Sequence, residues 1–262
     1  MILCQAAKYL KYIILSRHRA GHGIHSPFVF NLINRLFRNK TDYTVVSTVE
    51  KVRKRLRSDY RYIYVTDLGS GSGKHKNNRR KVSDIAKYSA VPEKYGALLS
   101  SLASEFGNSF IIEFGTSLGI STMYMALSCK DAKVLTLEGC PETAKVAYQN
   151  FTDLALQNIT ILTGPFDENL QNISATGLKP GLVFIDGNHN KPALIRYFNF
   201  ITGISDSETV VVIDDINHSN EMQEAWTEIK ANEKVSLTID IYRFGIVFFK
   251  SGVSRYDYVI RY

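Results

Sequence analysis

The feature that most constrains this chain is the rhythm that sets in near residue 110. Short apolar runs, SFIIEFG (109–115), KVLTLEG (133–139), ITILTG (159–164), GLVFIDG (181–187) and TVVVIDD (209–215), alternate there with helical patterns near 119–129, 142–155, 191–203 and 221–232. Continuous apolar runs of this length suit strands buried on both faces, and intervening helices bring the chain back to begin each strand in the same direction. The pattern predicts an α/β fold, a doubly wound and mostly parallel sheet. The tail VSLTIDIYRFGIVFFK (235–250), broken near Arg243–Gly245, reads as an antiparallel strand pair closing that sheet.

The stretch before this rhythm differs in kind. Residues 1–95 carry 20 Lys and Arg against 6 Asp and Glu, whereas residues 96–262 carry 12 against 19. We divide the chain into a basic, mostly helical extension (1–81) and an α/β domain (82–262). Ala6, Leu10, Ile13 and Ile14 share one helical face, and Phe28, Phe30, Leu32, Ile33 and Leu36 suggest a second helix after Pro27. The basic charge fits an anionic partner such as nucleic acid, or a solvated helix face at KVRKRLR (51–57). GHGIHSP (21–27) reads as a turn with partly exposed His22 and His25. A hydrophobic content of 45 % excludes wholesale disorder, and no apolar run is long enough for a membrane helix. Lys8 and Lys11 interrupt the apolar start, so it reads as a helix and not as a leader. Cys4, Cys129 and Cys140 form no CxxC pair and read as reduced thiols, giving a cytoplasmic expectation.

Two strand-then-glycine segments compete for a nucleotide-like cofactor. VTDLGSGSGKH (65–75) lacks the Walker A spacing, has His75 where Ser or Thr is needed, and leads into no apolar-periodic helix. It reads as a basic loop. IIEFGTSLGISTMYMAL (111–127) is the stronger candidate: a strand ends at Glu113, turns through Gly115 and Gly119, and enters a helix with Ile120, Met123, Tyr124 and Leu127 on one stripe. Glycines admit a ligand close to the backbone, at the sheet edge where open α/β folds bind ligands. The next strand ends in Glu138, 19 residues past Gly119, where a carboxylate can accept ribose hydroxyls. A dinucleotide is disfavoured, since GxGxxG is absent and Glu113 would repel a pyrophosphate.

Over 82–250 the chain resembles the class I S-adenosylmethionine-dependent methyltransferases, whose first motif has the form E-x-G-x-x-x-G. The resemblance implies a seven-stranded sheet and S-adenosylmethionine as cofactor. It implies that Glu113, Gly115, Thr116, Ser117 and Gly119 line the methionine end, Glu138 the ribose, and Gly164, Pro165 and Phe166 the adenine, with Asp186 also at the cofactor.

The fourth and fifth runs end FIDGNH and VIDDINH, which sets Asp186, Asp214 and Asp215 at one sheet edge with His189 three residues after Asp186. Three carboxylates suit a hard divalent cation such as Mg²⁺, which would acidify a substrate hydroxyl while a histidine takes its proton. In the bland reading these acids cap helices. Asp-x-x-His followed by an acidic pair 28 residues after its first Asp is similar to the metal-dependent O-methyltransferases of sugar and polyketide hydroxyls, and more distantly to the catechol and caffeoyl types. The catechol pattern has Asp-Asn in place of Asp214–Asp215. The resemblance implies Asp186, Asp214 and Asp215 as metal ligands and His189, beside Asp186, as general base. Trp226, with Met222, Ala225 and Ile229 at helical spacing, reads as core. The expectation is a methyltransferase acting on a small-molecule hydroxyl, its extension serving as lid or oligomer contact. The alternatives are an enzyme acting on RNA or another anionic macromolecule, and a non-catalytic docking protein.

Overall fold

A computed structural model of the chain describes residues 2–16, 24, 26–38, 42–66 and 78–262, with backbone alone for 2–7 and 38. His22, His25 and the glycine-rich loop at 69–74 lie outside the described residues. The chain divides into two compact units, Thr41–Leu182 and Met1–Lys40 with Val183–Tyr262.

The second unit begins with α1 (Ile2–Leu15) and α2 (Pro27–Ile33), the latter continuing into a π-helical turn at Asn34–Arg38. On α1 the expected face of Leu10 and Ile14 is exposed, and Tyr12 is buried instead. The reason is polar: the Tyr12 hydroxyl donates to the Ile260 carbonyl at 2.6 Å and accepts from the Tyr262 N–H at 3.1 Å. Ser26 caps α2 ahead of Pro27, and Val29, Leu32, Ile33 and Leu36 are buried while Phe30 is exposed.

The Thr41–Leu182 unit opens with α3 (Tyr43–Arg57), capped by Asp42, which buries Val45, Val49, Val52 and Leu56 on one stripe. Its basic run is a solvated face with one exception, the buried Arg53. The Arg53 guanidinium donates to both Glu50 carboxylate oxygens and, at 2.7 Å, to the Val91 carbonyl. A small antiparallel ladder follows, β1 (Tyr62–Tyr64) with β2 (Arg79–Lys81). Residues 82–106 form two helices, α4 (Val82–Tyr88) and α5 (Glu93–Phe106), parted before Pro92. Then come β3 (Phe110–Phe114), α6 (Ile120–Ser128), β4 (Lys133–Glu138), α7 (Pro141–Asp153), β5 (Ile159–Thr163) and α8 (Phe166–Ala175). The three strands are parallel neighbours in chain order, with Glu113 opposite Thr136 and Glu138 opposite Thr163. Every residue of β3 is buried, as its unbroken apolar run requires.

The second unit resumes with β6 (Leu182–Ile185), α9 (Lys191–Ile204), β7 (Val210–Ile213), α10 (Asn220–Ala231), β8 (Leu237–Asp240), β9 (Gly245–Phe248) and β10 (Tyr256–Val259). Its strand order is β10-β8-β9-β7-β6. β9 runs antiparallel to both β7 and β8, the closing pair expected from the tail. Within this unit β10 is a strand beyond those expected from the sequence, and it pairs parallel to β8. Trp226, Met222, Ala225 and Ile229 are buried on α10, and a Cβ built at Gly245 would lie 2.7 Å from the Trp226 ring. Among the described residues no helix is long and apolar enough to cross a membrane.

Candidate functional site

The turn between β3 and α6 is built from residues that few side chains could replace. Gly115, Ser117 and Gly119 all take positive φ, at 107°, 49° and 82°. Gly115 and Thr116 both donate to the Leu137 carbonyl, at 2.9 and 3.0 Å, which ties the turn to β4. Gly119 is required by packing as well as by φ, since a Cβ there would lie 2.5 Å from the Phe151 ring of α7.

Glu113 is the residue that the resemblance puts at the methionine end. It is fully buried beneath the turn, with one oxygen accepting from the Ser121 hydroxyl at 2.5 Å and the other from Thr122 and Thr136, the latter at 2.7 Å. The Thr136 and Thr116 hydroxyls are 2.6 Å apart and extend the network to the turn. Burial pushes the Glu113 carboxyl up to about 6, while the three hydroxyls pull the other way. Its place is under the site, where it fixes the start of α6.

Glu138, half-buried at the end of β4, accepts from the Ser117 N–H at 2.6 Å with one oxygen and from the Cys140 N–H at 2.9 Å with the other. Each carboxylate oxygen has a further lone pair, so this residue holds the turn and can still receive ribose hydroxyls. Gly164, at φ 122°, donates to the Glu138 carbonyl at 2.9 Å, and Phe166 at the start of α8 meets Phe114 edge-on at 5.8 Å. Positive-φ turn, acid-tipped strand and half-buried aromatic fit an adenosine-bearing ligand.

The acidic cluster lies in the other unit. The Asp214 N–H donates to the Ile185 carbonyl at 2.9 Å, so β6 and β7 end side by side and bring Asp186 and Asp214 together. His189 Nε2 stands 3.5 Å from Asp186 Oδ1, and the His189 and His218 rings are 6.1 Å apart. Ser219, whose hydroxyl accepts from the Met222 N–H, caps α10, so neither Asp214 nor Asp215 is spent on that task.

Sequence reasoning missed Arg243. From the β8–β9 turn its Nε donates to Asp214 Oδ1 at 2.7 Å and its Nη2 to Asp214 Oδ2 at 2.6 Å, a bidentate pair on a fully buried carboxylate. Nη2 also stands 3.8 Å from Asp215 Oδ1. Burial, then the charges of Asp214 and Asp215, push the Asp186 carboxyl well above its usual range against the pull of Arg243. Burial alone would lower the Arg243 guanidinium, but the charge and hydrogen bonds of Asp214 raise it. The three carboxylates expected to hold Mg²⁺ are not arranged around an open cation position: both oxygens of Asp214 are held by the Arg243 guanidinium, which also approaches Asp215. Among the described residues no group of three metal-ligating side chains is arranged to hold a metal.

Residues 112–216, which contain the turn, Glu138, Asp186, His189 and the acidic pair, match a family described as a methyltransferase domain. A catechol O-methyltransferase of Niastella koreensis is 32 % identical over 130 residues, covering 48 % of this chain and 58 % of that protein. An O-methyltransferase of Mycolicibacterium smegmatis is 31 % identical over 42 % of this chain and 52 % of its own length. The chain thus spans little more than half of these relatives. Among solved structures, an O-methyltransferase from Bacillus cereus in complex with S-adenosylhomocysteine superposes with a TM-score of 0.55 at 21 % identity, covering 84 % of this chain and 96 % of that one. The S-adenosylmethionine complex of TomG from Streptomyces achromogenes, an O-methyltransferase of tomaymycin synthesis, gives 0.54 at 21 % identity, over 62 % and 82 % of the two chains. Residues 112–216 thus match a methyltransferase domain, and the chain has the fold that these O-methyltransferases share.

Proposed function

We propose that the chain transfers the methyl group of S-adenosylmethionine to a hydroxyl of a small molecule. The carrying observation is that the matched domain contains both the Glu138-tied turn and the Asp186–His189 pair. Bound S-adenosylmethionine supplies an electrophilic methyl on a sulfonium. Glu138 holds the ribose hydroxyls, the turn from Gly115 to Gly119, with Thr116 and Ser117, receives the methionine end, Gly164 and Phe166 flank the adenine, and Glu113 braces the turn from below. His189, oriented by Asp186, would accept the acceptor's proton while the bound cofactor would supply the methyl to the acceptor oxygen. The products are a methyl ether and S-adenosylhomocysteine. Imidazole is suited to this role because it exchanges protons near neutral pH. No step is assigned to a divalent cation.

The test is calorimetric titration of S-adenosylmethionine, followed by an S-adenosylhomocysteine-release screen over sugars, catechols and other phenols. Binding that Glu138→Ala weakens by about tenfold or more, with turnover lost in His189→Ala, is the expected result. Failure of the wild type to bind the cofactor refutes the reading.

One observation favours a second reading, an anionic macromolecular acceptor such as RNA. Tyr60, Tyr62 and Tyr64 are exposed, Lys81 pairs with Tyr62 and Arg79 with Tyr64 across the β1–β2 ladder, and the Arg79 guanidinium sits 4.5 Å over the Tyr62 ring. Rings and cations on one face suit stacked bases and phosphates. Salt-sensitive RNA binding that Tyr62→Ala abolishes would favour it.

A further inference from the structure

We propose that Arg243 is the built-in cation of the Asp186–Asp214–Asp215 cluster, so that the cluster takes no divalent ion and the transfer runs without metal. This inference rests on the methyltransferase reading and concerns how that chemistry is supported.

Three observations carry it. The first is occupancy. Both Asp214 oxygens are engaged, Oδ1 by Arg243 Nε and by the Asp215 N–H at 2.7 Å each, and Oδ2 by Arg243 Nη2 at 2.6 Å. A Mg²⁺ ion demands oxygens at about 2.0–2.1 Å in near-octahedral array; both lone pairs of Oδ1 are taken, and an ion on the remaining lone pair of Oδ2 would sit against the guanidinium.

The second is position. The nitrogen that binds Asp214 Oδ2 is also 3.8 Å from Asp215 Oδ1. It stands between the two carboxylates that a bridging cation would join. A divalent ion sharing that corner would meet a fixed positive charge within a few ångströms.

The third is anchorage. The Arg243 N–H donates to the Ile241 carbonyl at 2.9 Å, and its carbonyl accepts from the Ile216 N–H at 3.2 Å. The Asn217 side-chain amide donates to the Tyr242 carbonyl at 2.7 Å, and the Tyr242 N–H donates to Asp240 Oδ1 at 2.7 Å. The buried Phe244 packs against Phe184 at 5.6 Å. The β8–β9 turn is thereby fixed to the 216–217 loop, so the backbone that carries Arg243 is held where its guanidinium reaches Asp214. Arg243 acts as a positioning residue: it sets the carboxylates and leaves acceptor deprotonation to His189.

The experiment uses Mn²⁺ as probe, since it takes the same hard oxygen ligands. Electron paramagnetic resonance would follow free Mn²⁺ in wild type, Arg243→Ala, Arg243→Gln and Arg243→Lys, with calorimetric titration of S-adenosylmethionine in chelator alongside. Wild type is expected to leave the free Mn²⁺ signal unchanged and to bind S-adenosylmethionine in chelator. Removing the guanidinium is expected to tighten Mn²⁺ binding by about tenfold or more, and Arg243→Lys to restore exclusion. If Arg243→Ala fails to fold by circular dichroism, Arg243→Gln, which keeps a donor amide, gives the same readout. Wild-type Mn²⁺ binding that is lost in Asp186→Asn overturns the inference, as does a folded charge-removed variant that gains no Mn²⁺. Absence of S-adenosylmethionine binding overturns the methyltransferase reading itself, which separates the two failures.

Discussion

Gly119 offers the sharpest test of how the turn is built. Its φ of 82° places an L-residue in the left-handed region, a cost of about 1–2 kcal/mol. An added Cβ would lie 2.5 and 2.7 Å from two carbons of the Phe151 ring and 3.3 Å from the Ala147 Cβ, so α7 must shift or the turn must open. Overpacking of that kind costs about 1–3 kcal/mol. Gly119→Ala should therefore destabilise by about 2–5 kcal/mol in urea unfolding at constant m-value. Gly177 provides the internal control, because its φ is 64° and nothing lies within 4 Å of a built Cβ. Gly177→Ala should show the backbone cost alone, about 1–2 kcal/mol. The difference between the two variants measures the Phe151 contact. Phe151→Leu in the Gly119→Ala background should recover part of it, with a coupling of about 1 kcal/mol or more in the double-mutant cycle. The opened turn would also strain the 2.6 Å bond from Ser117 N–H to Glu138, so S-adenosylmethionine affinity should fall in Gly119→Ala and hold in Gly177→Ala. Equal costs for the two alanines would refute the packing argument.

Two further outcomes follow from buried charge. The Glu113 carboxyl is raised from 4.5 to about 6 in the folded chain, so the native state binds the proton more tightly than the unfolded one. Its contribution to stability is complete below pH 4.5 and falls as pH rises through 6, a loss of about 2 kcal/mol from this group. Unfolding curves between those pH values should slope less in Glu113→Gln than in wild type, and parallel slopes would count against the assignment. Arg53→Ala strands the Val91 carbonyl and breaks the bond from Arg53 Nε to both Glu50 oxygens. We expect a loss of about 2–4 kcal/mol, read as a lower calorimetric Tm. An unchanged Tm would show that the network carries no net stability.

Much of the fold was legible because its signal is local. The unbroken apolar runs of β3, β6 and β7 could only be strands with both faces covered, and all three are buried throughout. The Gly115–Gly119 turn was legible because few residues other than glycine occupy its φ values at no cost. Elements whose burial depends on distant partners were not. β10 has the pattern exposed–exposed–buried–intermediate, too weak to declare a strand, and exists through its ladder with β8. On α1, apolar spacing favoured Leu10 and Ile14, yet Tyr12 is buried because its hydroxyl reaches the Ile260 carbonyl 248 residues away.

The same distinction separates the parts of the candidate site. Asp186, His189, Asp214 and Asp215 stand out in sequence because acids at strand ends are costly unless something compensates them. What compensates them is not visible there, and a metal ion and an arginine predict the same carboxylates. The discriminating residue lies 29 positions beyond Asp214, in a hairpin turn where a lone Arg is unremarked. Only the antiparallel return of β9 along β7, Val210 opposite Phe248 and Ile213 opposite Gly245, carries Arg243 back to the Asp214 end of that strand. Glu113 makes the converse point. A carboxylate before a glycine turn invites a cationic ligand, but three hydroxyls, two from α6 and one from β4, already satisfy its oxygens by hydrogen bonding. In both cases sequence located the charge, while its partner was set by the register of neighbouring strands and by the helix that follows.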